Sequence, residues 1–291
     1  GNNCVEVFVI IGAAICGWIF SDQLNQVRLS NDRLFDQFLD SDFVSAKPWL
    51  FMIFLSTLWV VFLLIILVIT QLIFQKSPPL LFFLDVLILA IMFNFSDVRR
   101  VTCSGDRIKI EPSLPHYYPS NQRIAQLFSI TASRIFGLMF WYCLMPGLSG
   151  AILFFISLSA YNALMRTYSL ETVSRSQCLV VTHFMLTWLP HRCLGLTYAL
   201  VGDFETAMRC WRDQGGQSGL GLWRTLLSAS GGALNMQFGG ASTANGKEIF
   251  TPKFGISEHL SLDQAATRSV ALFLRSFLLW LFVLFIVDIL I

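Results

Sequence analysis

The charged groups best placed for chemistry are Arg192, Asp203, Glu205 and Arg209. They fall within WLPHRCLGLTYALVGDFETAMRCW, Trp188 to Trp211, which is too polar to cross a membrane and too apolar for an ordinary loop. Guanidinium and carboxylate groups gathered at a membrane surface would line a polar pocket suited to an anionic headgroup or a phosphorylated ligand. A structural reading stands beside it: Asp203 and Glu205 follow Gly202 where a new helix can begin, and acidic residues there complement the helix dipole. Asp85 and Arg275 lie inside strongly apolar segments. They either pair with each other within the membrane or reach water separately.

His183, His191, Cys178 and Cys193 are metal-ligand types, but Pro190 should interrupt any single helix that would gather them on one face. Packing at the interface is the expected role, and no metal is assigned. The 7 cysteines show no CxxC spacing, and Cys16 and Cys143 sit in apolar blocks, so they read as small buried hydrophobes without a disulfide framework. Gly215, Gly216, Gly219 and Gly221 lack a preceding strand and a Gly-Lys-Ser/Thr ending, so this segment is a flexible link, not a phosphate cradle. No cofactor is read. A net charge of +2 with dispersed basic residues speaks against nucleic acid.

The elements that must position these groups follow from composition. Hydrophobic residues make up 55% of the 291 and charged ones 13%, with a mean hydropathy of +0.64. This is the composition of an integral membrane protein, and the expected fold is an all-α polytopic bundle with interfacial or re-entrant helices. Spans are expected at about 4–20, 49–74, 80–95, 135–164 and 269–291, set against the roughly 20 residues a bilayer needs. No basic n-region or A-x-A pattern accompanies the first, which is read as an anchor. Gly12, Ala13, Ala14 and Gly17 would let another helix approach it closely. Pro78 and Pro79 favour a hairpin of the second and third spans. Pro146 and Gly147 interrupt 135–164, which is read as one kinked span, with two half-spans as the alternative.

Between the spans, Ser21 to Pro48 has an apolar stripe at Val27, Leu34, Phe35, Phe38 and Leu39 and reads as an amphipathic surface helix. Arg99, Arg100, Arg107, Lys109 and Arg123 suggest a cytoplasmic face. Residues 166–268 are basic as well, so orientation stays open. Leu179 to Leu189 and Leu194 to Val201, each too short to cross, read as interfacial or re-entrant helices, and Asn245-Gly246 as a tight turn.

From about Arg134 onward the chain resembles a known superfamily. Trp188, Leu189, Pro190 and Arg192, with the helix ending at Gly202, resemble the W-[IVL]-P-x-R segment of the CobD/CbiB adenosylcobinamide-phosphate synthases and the related AmpE proteins. Ala207 to Arg212 resemble the basic, Trp-containing helix that follows. Gly232, Ala233, Leu234, Asn235, Met236, Gln237, Phe238, Gly239 and Gly240 are similar to the synthases' G-A-L-x-[IV]-Q-L-G-G box. Ser261, Leu262 and Asp263 lead through Arg268 into the last span, and Phe136 to Ala160 resemble an apolar segment with a Gly- and Pro-containing break.

The departures from the family are acidic. Its Glu-Asn-Thr-x-Asp-Gly motif is replaced by Ser129, Ile130, Thr131, Ala132, Ser133 and Arg134, without a carboxylate. A His-Pro-containing segment after the first span is missing, and an Asn-Thr-Leu-Asp-Ser motif is reduced to Tyr161, Asn162, Ala163, Leu164 and Met165. An amide-forming ligation needs groups that orient and charge-match its partners, commonly carboxylates with or without Mg²⁺. The resemblance therefore implies a non-catalytic AmpE-like protein of a bacterial inner membrane, with a regulatory or signalling role in β-lactamase induction or cell-wall stress. An active synthase of cobalamin biosynthesis and an accessory subunit of a membrane complex are the alternatives. The expected partners are the lipid bilayer and a membrane protein or a second copy of the chain.

Overall fold

A computed structural model describes residues 2–20, 78–93, 95, 122–145, 148–166, 177–215, 221–244, 247–256 and 262–290. In chain order the elements are α1 (Asn2–Ile19), α2 (Pro78–Met92), α3 (Gln122–Thr131), a π turn (Ala132–Phe136), α4 (Gly137–Leu144), α5 (Ser149–Arg166), α6 (Gln177–Val201), α7 (Phe204–Gln214), α8 (Gly221–Leu234), β1 (Gln237–Ala244), β2 (Lys247–Gly255) and α9 (Leu262–Leu290). The expected span at 49–74, the surface helix of 21–48 and the basic residues 99–109 lie outside the described residues. The chain divides into two compact units, Gly1–Ser96 with Gly137–Leu186, and Asp97–Phe136 with Thr187–Ile291.

In the first unit α1 and α2 pack closely because α1 presents glycine where they touch. A Cβ added at Gly12 would stand 3.3 Å from the Val86 side chain, and one at Gly17 would stand 3.0 Å from Phe95. Val9, Ile10 and Ala13 are fully buried on the same helix, and Trp18 meets the Phe95 ring edge-on at 6.2 Å. Over 135–164, read from the sequence as one kinked span, the helix stops at Leu144 and resumes at Ser149. The interruption brackets Pro146, whose missing N–H and ring disfavour a continuous ladder. Gly150 lies against the Trp141 carbonyl, an approach that a side chain would block.

The reading of Pro190 as an interruption is overturned: α6 runs unbroken for 25 residues with Pro190 inside it. The reason is local. A proline deprives the carbonyl four residues earlier of its donor, and that carbonyl, Leu186 O, accepts instead from the Trp141 indole Nε1–H at 3.0 Å. With its orphan acceptor satisfied, the helix continues.

The second unit surrounds an aromatic core. Phe128 meets Tyr198 at 5.3 Å and Phe238 at 6.0 Å, both edge-on. All three are fully buried, as is nearly all of Phe254. Trp280 on α9 packs edge-on against Phe136 at 5.1 Å and donates its indole N–H to Thr197 Oγ1 at 2.8 Å. An antiparallel hairpin, β1 with β2, is an element the all-α expectation lacked. Its register sets Ala244 opposite Lys247, so the strands flank Asn245 and Gly246, the pair read as a tight turn. Asn-Gly between strands is the strongest short hairpin signal. The turn residues themselves fall outside the described residues.

Among the described residues two helical windows are long and apolar enough to cross a membrane, Leu127–Leu144 and Gln264–Val287. They differ in burial: 72% of the first is buried within the protein and 17% of the second. The α9 window, which overlaps the expected span 269–291, is therefore the one whose apolar surface is left largely uncovered by protein. Val7–Ile19, Phe82–Met92 and Ser149–Asn162 are shorter apolar helical stretches.

Candidate functional site

The Gly232 to Gly240 box is a helix stop followed by a strand. The Met236 N–H donates to Gly231 O at 2.9 Å and the Asn235 N–H to Gly232 O at 3.2 Å, with Asn235 at φ +52°. This is a Schellman ending of α8, with asparagine in the left-handed position that glycine or asparagine favours. Gly232 is where α8 crosses α7, and a Cβ there would come within 2.6 Å of Ala207 Cα. Gly239, at φ +76°, sits at the register irregularity between Phe238 and Gly240, where a bulge bends β1. The Gln214 side chain clamps the far end of the hairpin. Its Oε1 accepts from the Gly255 N–H at 2.6 Å, and its Nε2 donates to Gly255 O at 3.2 Å.

Asp203 caps α7. Its carboxylate accepts from the Thr206 N–H at 3.2 Å and from the Thr206 hydroxyl at 2.9 Å, and Glu205 follows exposed in the first turn. The Thr206 backbone bond, followed by its hydroxyl, holds the Asp203 carboxyl below the ordinary aspartate value, with the Asn235 amide and the Arg209 charge adding to the effect. The structural reading of these acids therefore describes Asp203. Cap and box are joined: Asp203 N–H donates to Ala233 O at 3.2 Å, and Asn235 Nδ2 reaches Asp203 Oδ2 at 3.5 Å.

Of the expected polar pocket, Asp203 and Arg209 are electrostatic neighbours, whereas Arg192 lies over the Trp188 ring, 4.2 Å from its centroid. A different concavity forms beside the box. It encloses about 290 Å³ between the end of α6, the end of α8 and the first turns of α9, and Gly202, Asn235, Arg268 and Arg275 are among its lining. Sequence reasoning named Asn235 and Arg275 for other reasons and passed over Arg268 as part of a site. Their seven-residue spacing, which sets them on one helical face, was the available signal.

Asp85 and Arg275 belong to different units, and within its own unit Asp85 accepts a hydrogen bond from Tyr142. The two histidines are packed among aromatic rings. His183 stacks on Tyr161 at 4.4 Å with Nδ1 3.2 Å from Ser157 Oγ, while His191 lies 5.0 Å from Trp223. His191 is almost fully buried with both ring nitrogens unpartnered, and burial lowers its pKa to about 4. Among the described residues no three His, Cys, Asp or Glu side chains converge as metal ligands. Among the described residues Cys16, Cys143, Cys193 and Cys210 are not joined in disulfides.

Ser129 to Arg134, the segment compared above with the synthases' acidic motif, spans the end of α3 and the π turn. Thr131 Oγ1 donates to Leu127 O at 2.8 Å and Ser133 Oγ to Ser129 O at 2.7 Å, so these buried hydroxyls bond back to their own helix.

No protein-family model matches the chain, and no solved structure matches it. It is similar to the cobalamin biosynthesis protein CobD of Stutzerimonas stutzeri, with 27% identity over 129 residues, 43% of this chain and 40% of that protein. It is also similar to the cobalamin biosynthesis protein CobD of Chromobacterium violaceum, with 26% identity over 149 residues, 51% of this chain and 47% of that protein. The likeness thus spans less than half the length of either relative.

Proposed function

We propose that this chain is a membrane protein of cobalamin biosynthesis, acting in the step of an adenosylcobinamide-phosphate synthase. The observation that carries the reading is its likeness to the CobD proteins. The box gives it a structural counterpart, a helix stop and a bulged strand built around Asn235 and Gly239. Expression in a synthase-deficient host should restore corrinoid production, and Gly239→Val, which puts a β-branched side chain at φ +76° in the bulge, should abolish the rescue while the protein still reaches the membrane. An intact, membrane-located chain that does not restore corrinoid production overturns the proposal.

A second reading rests on one observation. Where the synthases carry carboxylates, Ser129, Thr131 and Ser133 are buried and the Thr131 and Ser133 hydroxyls bond back to their own helix, which leaves no acid there to orient a ligation. On this reading the chain is a non-catalytic, AmpE-like relative that acts through a membrane partner. Failure to complement, together with copurification of a partner in mild detergent, would favour it.

A further inference from the structure

The pocket beside the box and the outer face of α9 form a continuous track that changes character along its length. Arg268 and Arg275 line the pocket and are exposed. They stand seven residues apart, two turns and about 10 Å along one face of a helix. Continuing along that face, the next exposed side chains are Leu278 and Phe282, 63% and 61% accessible. These are large apolar groups with no protein covering them, on the window Gln264–Val287 that is long and apolar enough to cross a bilayer. The polar end is walled by Gly202 and Asn235, and the charged side chains among its described lining are the two guanidiniums.

We propose that this track is a binding site for an anionic phospholipid. The phosphodiester sits in the 290 Å³ pocket against Arg275 and Arg268, and an acyl chain lies along Leu278 and Phe282. A guanidinium supplies paired N–H donors to phosphate oxygens, which a bulk cation does not. Pocket and stripe also follow the order in which a lipid presents its headgroup and its chains to a spanning helix. A free phosphate ester shares the headgroup chemistry but has no use for the apolar half. The inference does not depend on a role in cobalamin biosynthesis, because lipid occupancy is read without any turnover.

The test is native mass spectrometry of the full chain in detergent, titrated separately with dioleoylphosphatidylglycerol, dioleoylphosphatidylcholine and glycerol 3-phosphate. The wild-type chain is expected to retain phosphatidylglycerol in preference to phosphatidylcholine, and to hold glycerol 3-phosphate far more weakly. Arg275→Gln should weaken phosphatidylglycerol about tenfold, the size of one charge-assisted contact. Arg275→Lys should recover part of that loss. The pair Leu278→Ala and Phe282→Ala should weaken the lipid and leave glycerol 3-phosphate unchanged. These side chains are exposed, so their replacement spares the core, and thermal melting of each variant verifies it. Equal lipid retention by wild type and Arg275→Gln overturns the proposal. So does glycerol 3-phosphate binding as tightly as the lipid, which would identify a site for a soluble phosphate ester.

Discussion

Leu186 O and the Trp141 indole are an acceptor and a donor brought together by a proline. Pro190 removes the N–H that Leu186 O would otherwise receive, and Trp141 Nε1 replaces it at 3.0 Å. Trp141→Phe keeps an aromatic ring and strands the carbonyl, so melting in detergent should show a loss of about 1 to 3 kcal/mol. Adding Pro190→Ala restores a backbone donor and should recover most of that loss, and equal effects in the two backgrounds would refute the coupling. His191 offers a second residue-scale prediction. Its pKa is lowered from 6.5 to about 4 by burial, so the unfolded chain binds the extra proton between those values. Stability from the neutral imidazole is therefore complete above pH 6.5 and is lost as pH falls toward 4. His191→Phe preserves packing on Trp223 and should flatten that part of the stability profile relative to wild type. Asp203 has the familiar carboxylate sign. Its pKa is lowered from 3.8, so the stability its cap contributes is present above that value and disappears as pH falls below it.

At the scale of elements, the α7–α8 crossing and the stop of α8 depend on side chains that are absent or unusual. A methyl group at Gly232 would meet Ala207 Cα at 2.6 Å and Thr206 O at 2.7 Å, both backbone atoms that cannot rotate away. Gly232→Ala should force the helices apart and cost about 1 to 3 kcal/mol, as overpacking does, measured as a lower melting temperature. Asn235→Gly should be tolerated, since glycine accepts φ +52° freely. These requirements were partly legible: the glycines of the box and the Asn-Gly pair could be read from the chain, and so could the small residues by which α1 admits α2. The hairpin was not, because Gly-Gly-Ala-Ser-Thr in β1 lacks the large alternating apolar residues that mark a strand. Nor was the continuity of α6, since the tryptophan that satisfies Leu186 is distant in sequence. The pocket arginines were visible singly but not as a pair, because only the fold brings the end of α8 and Asn235 against their face of α9.

At the scale of the whole molecule, the deciding contrast is between the two long apolar helical windows. Leu127–Leu144 is mostly covered by protein, and its apolar character is explained by that cover alone. Gln264–Val287 is not covered: Leu274, Leu278, Phe282, Phe285 and Ile286 are all exposed on it. In water that surface would be an uninterrupted apolar patch of the kind soluble proteins avoid, whereas in hydrocarbon it incurs no such penalty. Within that window Arg268 lies near the N-terminal end and Arg275 near the midpoint, and both line the polar pocket, toward which their long side chains can extend. An acid at the middle of the exposed face separates the environments. Phe282→Asp would relieve the patch if α9 faced water, raising the soluble yield. In a bilayer it would oppose insertion by about 2.5 to 3.5 kcal/mol, the cost of an ionisable group at a helix centre. The expected outcome is a smaller carbonate-resistant membrane fraction for Phe282→Asp than for wild type, with Phe282→Leu indistinguishable from wild type. A soluble, monodisperse Phe282→Asp protein would instead show that α9 is a surface helix of an aqueous domain.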